Sequence, residues 1–266
     1  MEVTVKKATI GGSVRIPASK SHTIRALVIA SFAEGESRIR FPLDSSDTRS
    51  CLAICRKFGA HVEITSGEWI VRGTGGKPAV PDDILDAGNS GTSLYIAVSL
   101  GALIAGVSVL TGDAQIRRRP VGNLLAALRD LGAEAFSTRG NGLAPVVVHG
   151  PLSGGKTSIS CPTSQYLTSL LLSCPLAQGD SEIEVTELNE KPYVEMTLDW
   201  LRRQRITLEH DPELSRFRIP GRQRYSAFTR EIPGDFSSAT FFLCLAAIKG
   251  VTLTLHGLDM SDPQGD

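Results

Sequence analysis

The 266-residue sequence predicts an α/β protein of α+β character, built from repeated βαβαββ-like units. Each copy opens with small polar residues, continues as an apolar helix, and reaches a glycine that precedes a strand. A second helix and two more strands complete it. Copies begin roughly 70 residues apart, a spacing typical of a structural repeat. Three copies are complete and a fourth begins near the end of the sequence.

The first copy begins at Ser19-Lys20-Ser21, residues suited to a helix N-terminus. It predicts a helix over 24–33, a strand over 37–41, a helix over 47–58, and strands over 61–65 and 68–72. Gly59 follows the second helix, where a glycine commonly ends a helix.

The second copy begins at Asn89-Ser90-Gly91-Thr92. It predicts a helix over 93–105, a strand over 107–110, a helix over 121–131, and strands over 133–137 and 145–149. Gly106 is expected to stop the first helix, and Pro120 suits the first turn of the second.

The third copy begins at Thr163-Ser164-Gln165. It predicts a helix over 166–177, a strand over 182–185, a helix over 192–204, and strands over 206–210 and 217–219. The fourth copy begins at Asp235-Phe236-Ser237-Ser238, with a helix over 239–248 and a strand over 251–255. The helix over 239–248 is apolar nearly all round, so we expect it to be buried.

The starts of the long helices indicate where ligands bind. Ser, Thr, Asn and Asp are ordinary helix caps, so capping alone explains these residues. A helix N-terminus also favours phosphate or carboxylate through its free N–H groups and dipole. If the repeats surround a common axis, several starts face one point and together form an anion site without a metal.

Composition excludes several classes of partner and cofactor. Lys and Arg total 28, as do Asp and Glu, so no broad positive charge is available for nucleic acid or an anionic membrane. No apolar run is long enough for a membrane span and no signal peptide is evident, so we expect a cytoplasmic protein. Five cysteines, an odd number, predict reduced thiols. Cys51 and Cys55 lack further metal ligands, which favours core packing; we expect neither metal nor cofactor.

One motif is misleading. Residues 150–157 match the phosphate-loop pattern G-x-x-x-x-G-K-T. That motif requires a helix at Lys156, whereas residues 158–162 alternate polar and apolar and end in proline, which predicts a strand. A nucleotide-binding phosphate loop is therefore the weaker interpretation, and the glycine-rich piece is better explained as a turn.

Six motifs, in order along the chain, resemble those of the 5-enolpyruvylshikimate-3-phosphate synthase family. They are P-A-S-K-S-H-T-I-R-A-L at 17–27, D-A-G-N-S-G-T at 86–92, T-G-D at 111–113 with R-P at 119–120, S-Q-Y-L-T-S-L-L at 164–171, K-P-Y-V-E-M-T at 191–197 and G-D-F-S-S-A at 234–239. One such match is weak evidence, but six in family order are strong.

The resemblance implies an enolpyruvyl transferase fold of two lobes, each an inside-out α/β barrel of three βαβαββ units. Residues 16–231 would form the complete lobe, on the shikimate 3-phosphate side. Residues 1–15 and 232–266 would be an incomplete part of the other lobe. We therefore expect an N-terminal portion that lacks the C-terminal catalytic residues and is inactive alone, with the missing portion supplied in cis or as a second chain.

The implied reaction transfers the carboxyvinyl group of phosphoenolpyruvate to the 5-hydroxyl of shikimate 3-phosphate, in the shikimate pathway to chorismate and aromatic amino acids. Lys20 would touch both substrates and assist catalysis. By resemblance, shikimate 3-phosphate would be bound by Lys20, Ser21, Arg25, Thr163, Ser164, Gln165 and Tyr193, and phosphoenolpyruvate by Lys20, Asn89, Gly91, Arg119 and Gln165.

Two positions depart from the family pattern. Tyr95 stands where the family usually has Arg. Glu190 stands where many members have a Ser that helps to hold the substrate phosphate, and a carboxylate there repels a phosphate. Glu190 would therefore point away or pair with Lys191 or another cation; otherwise shikimate 3-phosphate is in doubt as the substrate.

Three alternatives stay open. The sister transferase acting on UDP-N-acetylglucosamine would show a K-N-A element and a catalytic cysteine loop, and Lys20-Ser21-His22 disfavours it. A phosphate-loop protein is disfavoured by the strand after Lys156. A catalytically silent binding or assembly subunit that needs a second chain is kept open by Tyr95, Glu190 and the partial fourth copy.

Overall fold

The computed structural model describes residues 2–4 and 9–264. After β1 (Gly12–Arg15), the first unit contains α1 (Lys20–Phe32), β2 (Glu36–Arg40), α2 (Ser46–Lys57), β3 (His61–Thr65) and β4 (Glu68–Arg72). The last two strands have the predicted bounds. The first helix begins four residues earlier than predicted, because the Ser19 side chain caps it by accepting a hydrogen bond from the amide of His22.

The second unit contains β5 (Leu85–Asp86), α3 (Gly91–Gly101), β6 (Val107–Thr111), a 3₁₀ turn (Ile116–Arg118), α4 (Gly122–Asp130), β7 (Glu134–Ser137) and β8 (Val146–His149). α3 ends at Gly101 rather than at residue 105, because the amides of the next residues bond three residues back and tighten the chain. The placement of Pro120 in the first turn of α4 is wrong. Pro120 forms an extended bridge with Leu143, and Val121 is the cap.

The third unit contains β9 (Gly155–Cys161), α5 (Ser164–Ser173), a 3₁₀ turn (Cys174–Leu176), β10 (Ser181–Leu188), α6 (Lys191–Arg203), β11 (Glu209–His210) and β12 (Arg216–Ile219). The predicted strand after Lys156 is confirmed, so no helix begins where a phosphate loop requires one. α5 is shorter than predicted because Pro175 has no amide hydrogen to continue it.

The remaining elements are β13 (Thr229–Glu231), α7 (Phe236–Lys249) and β14 (Leu253–His256). β1 and β14 pair in parallel as a separate two-stranded sheet. β13 instead joins the sheet of the first unit, parallel to β2. The pattern of the first copy gave no sign that its edge strand lies about 190 residues further along the chain.

The three units form three four-stranded sheets of the same topology, in the orders β13-β2-β4-β3, β5-β6-β8-β7 and β9-β10-β12-β11. In each sheet the first two strands are parallel and the remaining neighbours are antiparallel. The predicted repeat and the α/β class are thus confirmed. Because β13 follows the third unit yet completes the first, the chain closes the set of three units.

The long helices α1, α3 and α5 are buried along nearly their whole length. Their sequences are apolar or small on every side, as expected for helices surrounded by other elements. The hydroxyl of Ser99 in α3 donates to that of Ser169 in α5 over 2.8 Å, and both residues are fully buried. Small side chains of this kind allow the two helices to approach closely.

The prediction that helix 239–248 is buried is wrong for the described residues. Within α7 only Ala239 is buried, whereas Phe241 is 78% and Ile248 80% exposed. The helix is apolar all round, yet no described element covers its outer side. None of the described helices is both long and apolar enough to cross a membrane.

A glycine follows the last strand of each unit and packs closely against the backbone that leads from the end of that unit's buried helix to the next strand. A Cβ on Gly73 would lie 2.2 Å from the carbonyl oxygen of Ala33 and 2.4 Å from that of Ala30. A Cβ on Gly150 would lie 2.3 Å from the oxygen of Ala102, and one on Gly221 would lie 2.2 Å from that of Gly179. The repeat therefore requires glycine here for close backbone approach.

We expect Gly73→Ala to destabilise the fold by about 3 kcal/mol, because the new methyl group overlaps backbone oxygens that cannot rotate away. Gly75→Ala is the matched control: its Cβ meets nothing within 4 Å, and its positive φ of 62° accounts for only about 1 kcal/mol. Urea unfolding of both variants measures the difference. An equal loss in the two variants would show that the close packing is unimportant.

Candidate active site

One cavity of about 260 Å³ lies where the N-termini of α1, α3 and α5 approach the start of α6. It is lined by Lys20, Ser21, Arg25, Thr92, Ser164, Gln165, Thr168, Glu190, Tyr193, Asp235, Ser237 and Gln264. Ser19, Ser90 and Thr163 cap the three helices through their side-chain oxygens. The cavity therefore combines helix N-termini with two cationic side chains, which suits an anionic ligand.

The structure brings most of the predicted site residues together. Seven of them line the cavity: Lys20, Ser21, Arg25, Ser164, Gln165, Glu190 and Tyr193. Thr163 lies directly behind Ser164 as the cap of α5. Asn89, Gly91 and Arg119 form an adjoining cluster, which reaches the cavity through Thr92. Their roles toward substrates stay predictions.

Arg25 is the buried cation of the site, with 3% of its surface exposed. Its Nε donates to the Thr197 hydroxyl at 2.9 Å, and its Nη2 donates to the Tyr193 carbonyl at 2.8 Å. Further hydrogen bonds go to the Ser21 carbonyl and the Thr168 hydroxyl. Burial lowers the pKa of Arg25 to about 10, so it stays positively charged at neutral pH. Its hydrogen-bond partners are all uncharged, which leaves this charge available to an anion.

Lys20 begins α1 at the mouth of the cavity. Its ammonium group lies 3.1 Å from the carboxylate of Asp47, and 43% of its side chain is exposed. An ion pair this exposed contributes little to stability, about 0–1 kcal/mol. Lys20 can therefore move from Asp47 to a ligand at small energetic cost.

Gln165 and Tyr193 contribute polar and aromatic surface. The Oε1 atom of Gln165 is buried and has no hydrogen-bond partner among the described residues. A buried acceptor of this kind is stabilised when a donor, such as a ligand hydroxyl, comes within reach. Tyr193 is half-buried, and its carbonyl also fixes the Arg25 guanidinium.

Glu190 occupies the N-terminus of α5. Its Oε2 accepts hydrogen bonds from the Ser164 hydroxyl at 2.9 Å, the Ser164 amide at 3.3 Å and the Thr163 hydroxyl at 3.4 Å. The expectation that this carboxylate points away from the site is therefore wrong, and these donors, rather than Lys191, satisfy it. The positive dipole end of α5 explains why an anion is held here.

The adjoining cluster is organised by Asp113. Its Oδ2 accepts from the Asn89 side chain at 2.7 Å, and its Oδ1 accepts from the amides of Gln115 and Ile116. These bonds lower the pKa of Asp113, with the Ile116 amide contributing most. The turn that carries Arg119 is thus fixed at its start.

Arg119 lies against the first turn of α3. A Cβ on Gly91 would be 2.6 Å from its Nη1, so glycine there leaves space for the guanidinium. The Tyr166 hydroxyl donates to the carbonyl of Pro120 at 2.6 Å, and the Tyr95 ring packs edge-on against Tyr166 with centroids 5.0 Å apart. Tyr95, which departs from the family pattern, is thus a buried support beneath the loop that carries Arg119.

Sequence reasoning missed five cavity residues: Thr92, Thr168, Asp235, Ser237 and Gln264. Thr92, Thr168, Asp235 and Ser237 lie inside quoted motifs, so position within a motif was the available signal. Gln264 lies outside the motifs, and its Nε2 donates to the Asp235 carboxylate at 2.7 Å. Only the folded chain brings it to α7.

His22, in α1, is hydrogen-bonded to the segment after β14. The Trp200 indole donates to its Nδ1 at 2.9 Å, and its Nε2 lies 2.8 Å from Asp262 Oδ2. An indole N–H can only donate, so Nδ1 must be the acceptor and Nε2 carries the proton. Nε2 therefore donates to Asp262. Burial of the Asp262 carboxyl opposes ionisation, but its bonds from His22 and the Gln264 amide lower its pKa overall.

The cysteines and metal-ligating residues form no second site. Cys51 and Cys55 are buried in the core, which confirms the packing interpretation. Among residues 2–4 and 9–264, no group of three His, Cys, Asp or Glu side chains is arranged to hold a metal ion.

A family model described as EPSP synthase (3-phosphoshikimate 1-carboxyvinyltransferase) matches residues 5–266. A protein named 3-phosphoshikimate 1-carboxyvinyltransferase from Acetivibrio thermocellus is 54% identical over the whole chain, and one of the same name from Ruminiclostridium cellulolyticum is 50% identical. The chain spans 63% of the length of each.

A solved structure has the same architecture. The EPSP synthase of Acinetobacter baumannii superposes with a TM-score of 0.83 at 26% identity. The match covers 94% of this chain and 56% of that one. Since the TM-score is high and the coverage of this chain nearly complete, the predicted enolpyruvyl transferase-like fold is confirmed.

We expect Asp262→Asn to lower the free energy of unfolding by about 1–3 kcal/mol at pH 7, because one of two buried hydrogen bonds loses its acceptor. The folded pKa of Asp262 is depressed, so its stabilisation is present above the unfolded pKa of about 4 and is lost as pH falls through the folded value. In urea unfolding measured from pH 7 to pH 3, the free energies of unfolding of the variant and the native chain should converge as pH falls.

Glu213→Gln, at an exposed position between β11 and β12, controls for the general effect of removing one carboxylate. The free energy of unfolding of this control variant should differ from that of the native chain by close to zero at every pH. A difference for Asp262→Asn that stays constant down to pH 3 would contradict the role of the charged carboxylate.

Proposed function

Because this chain belongs to the EPSP synthase (3-phosphoshikimate 1-carboxyvinyltransferase) family, we propose that its cavity binds shikimate 3-phosphate and serves carboxyvinyl transfer from phosphoenolpyruvate. The observation that carries the proposal is the buried Arg25, whose charge faces a cavity formed by three helix N-termini. Both substrates are polyanions, and a site of this electrostatic character favours them.

In the proposed complex each group of the acceptor meets a complementary side chain. The shikimate carboxylate binds at Arg25 and Ser21, and the ring lies against Tyr193. The 3-phosphate binds at the N-terminus of α5, where Ser164 and Thr163 supply hydroxyls. Gln165 accepts a hydrogen bond from a ring hydroxyl, which satisfies its buried Oε1.

Phosphoenolpyruvate binds in the adjoining cluster, at Arg119, Asn89 and the amide of Gly91. A guanidinium presents paired donors that match a phosphate or carboxylate. Lys20 lies between the two subsites and contacts both substrates. In the reaction the 5-hydroxyl oxygen of shikimate 3-phosphate loses its proton and bonds to the central carbon of phosphoenolpyruvate, while the methylene carbon gains a proton and the double bond is lost. Later loss of phosphate from the central carbon and of a proton from the methyl carbon restores the carbon–carbon double bond. Lys20 stabilises negative charge during the addition.

We also propose that residues 16–231 form one lobe, as the resemblance to the family implies. Its support is the topology: three sheets of one design, the first completed by β13 near residue 231. The sheet of β1 and β14 is separate from these three and would belong to a second lobe.

A second candidate function is a subunit that acts only with further polypeptide, present in cis or as a second chain. The observation that favours it is the uncovered apolar side of α7, where Phe241, Leu243 and Ile248 are exposed. Exposed apolar patches of this kind commonly mark a surface that another element covers. This second candidate adds a requirement for further polypeptide and does not change the proposed role of the cavity in binding anions.

We expect Lys20→Ala to weaken binding of shikimate 3-phosphate about tenfold, the effect of losing a partly exposed charged hydrogen bond. Isothermal titration calorimetry of the native chain and the variant measures it. Lys156→Ala is the matched control, because Lys156 is an exposed lysine on β9 that pairs with Glu182 on β10. Equal weakening by the two variants would contradict a specific role of Lys20 in binding.

For α7, we expect Phe241→Asp with Ile248→Asp to remove most of the fluorescence of an apolar dye bound to the chain, without lowering its stability. Val80→Asp, at a position 53% exposed outside α7, is the control and should change little. Adding the C-terminal part of the Acetivibrio relative as a second polypeptide should displace the dye and form a complex on size-exclusion chromatography. Persistent dye binding and no complex would contradict the proposal.

A further inference from the structure

The carboxylate of Glu190 occupies the position that the proposed function gives to a phosphate. Its Oε2 accepts from the Ser164 amide, the Ser164 hydroxyl and the Thr163 hydroxyl. Ser164 is 2% exposed, so its amide and hydroxyl are shielded from water and not simply satisfied by solvent. The structure thus contains an anion, part of the chain itself, at the first turn of α5.

Three donors converging on one oxygen are more than the capping of α5 requires. Thr163 already caps that helix by accepting from the Gln165 amide. The Glu190 carboxylate comes from a different segment, the connection between β10 and α6. The carboxylate therefore binds at the N-terminus of α5 as a group from outside that helix, as a phosphate oxygen would.

The position of Glu190 allows the carboxylate to leave. The residue is exposed overall, so its side chain can rotate into solvent without disturbing the core. Its backbone is left-handed, with φ 58° and ψ 45°, a conformation that a glutamate rarely adopts. Its neighbours Lys191 and Asn189 are also exposed, so no packed layer holds the side chain in place.

Resting on the proposed function, we propose that Glu190 is an internal competitor that occupies the phosphate subsite and must leave before a phosphorylated ligand binds. The affinity for phosphate is then reduced by the fraction of molecules in which the carboxylate is bound. Glu190 is in this sense a specificity-determining residue: it lowers the affinity of every phosphate-containing ligand by the same factor and leaves that of unphosphorylated ligands unchanged. A ligand without phosphate leaves it in place.

The test compares Glu190→Ser and Glu190→Gln with the native chain, using calorimetry with shikimate 3-phosphate and with unphosphorylated shikimate. Both variants should bind the phosphorylated ligand about tenfold more tightly, a change of 1.4 kcal/mol, and should bind shikimate unchanged. Glu195→Gln removes the same charge from an exposed position on α6 and should alter neither affinity.

Three results would overturn the proposal. Weaker binding of the phosphorylated ligand by the Glu190 variants would make Glu190 a ligand to the substrate. Equal tightening for shikimate would make it a steric obstacle only. Unchanged affinities would show that the carboxylate does not compete.

A separate measurement distinguishes failure of the proposed function. If no form of the chain binds shikimate 3-phosphate, the proposed substrate is wrong. The competitor role is then tested by titrating ¹⁵N-labelled protein with inorganic phosphate and following the NMR resonance of the Ser164 amide. Phosphate should shift that resonance in Glu190→Ser at concentrations that leave the native chain unchanged, and equal shifts in both would overturn the inference.

Discussion

Burial of the Arg25 guanidinium without a carboxylate partner is the constraint around which the site is arranged. Removing a charge from water is costly unless hydrogen bonds compensate for it. Four bonds do so here, to acceptors on α1, α5 and α6. The same bonds fix these three helices relative to one another. The residue that gives the cavity its charge therefore also sets the cavity's shape.

The repeat explains how three helix N-termini come to face this charge. Each buried helix is surrounded by other elements and leads into a segment that packs closely against a glycine of its own unit, so the helices occupy equivalent places. Because the three units form a closed set and their buried helices are placed equivalently, the N-termini of the three helices lie close together. Sequence divergence then supplies a different side chain at each end: Lys20 in the first unit, Thr92 in the second and Gln165 in the third.

Most of the fold was predictable because its signals are local. Apolar runs, capping residues and glycine stops located α1, α2, β3 and β4 to within a few residues. The features that were not predicted depend on distant parts of the chain. The edge strand β13 pairs with β2 across the sequence, and the burial of α7 depends on which polypeptide covers it. In the site, motif positions identified Lys20 and Arg25, but only folding brings Gln264 to Asp235.

The position of Glu190 shows why a residue can break a family pattern without disrupting the fold. A carboxylate placed among anionic ligands should repel them, and the sequence alone suggested that it would turn away or pair with Lys191 or another cation. The structure instead satisfies it with donors of α5, because an empty helix N-terminus is itself an unfavourable arrangement of unpaired amides. In the chain without ligand, the Glu190 carboxylate supplies the acceptor that a phosphate would supply in the proposed complex. Stability of the unliganded site and affinity for its ligand are then in direct opposition at this one side chain.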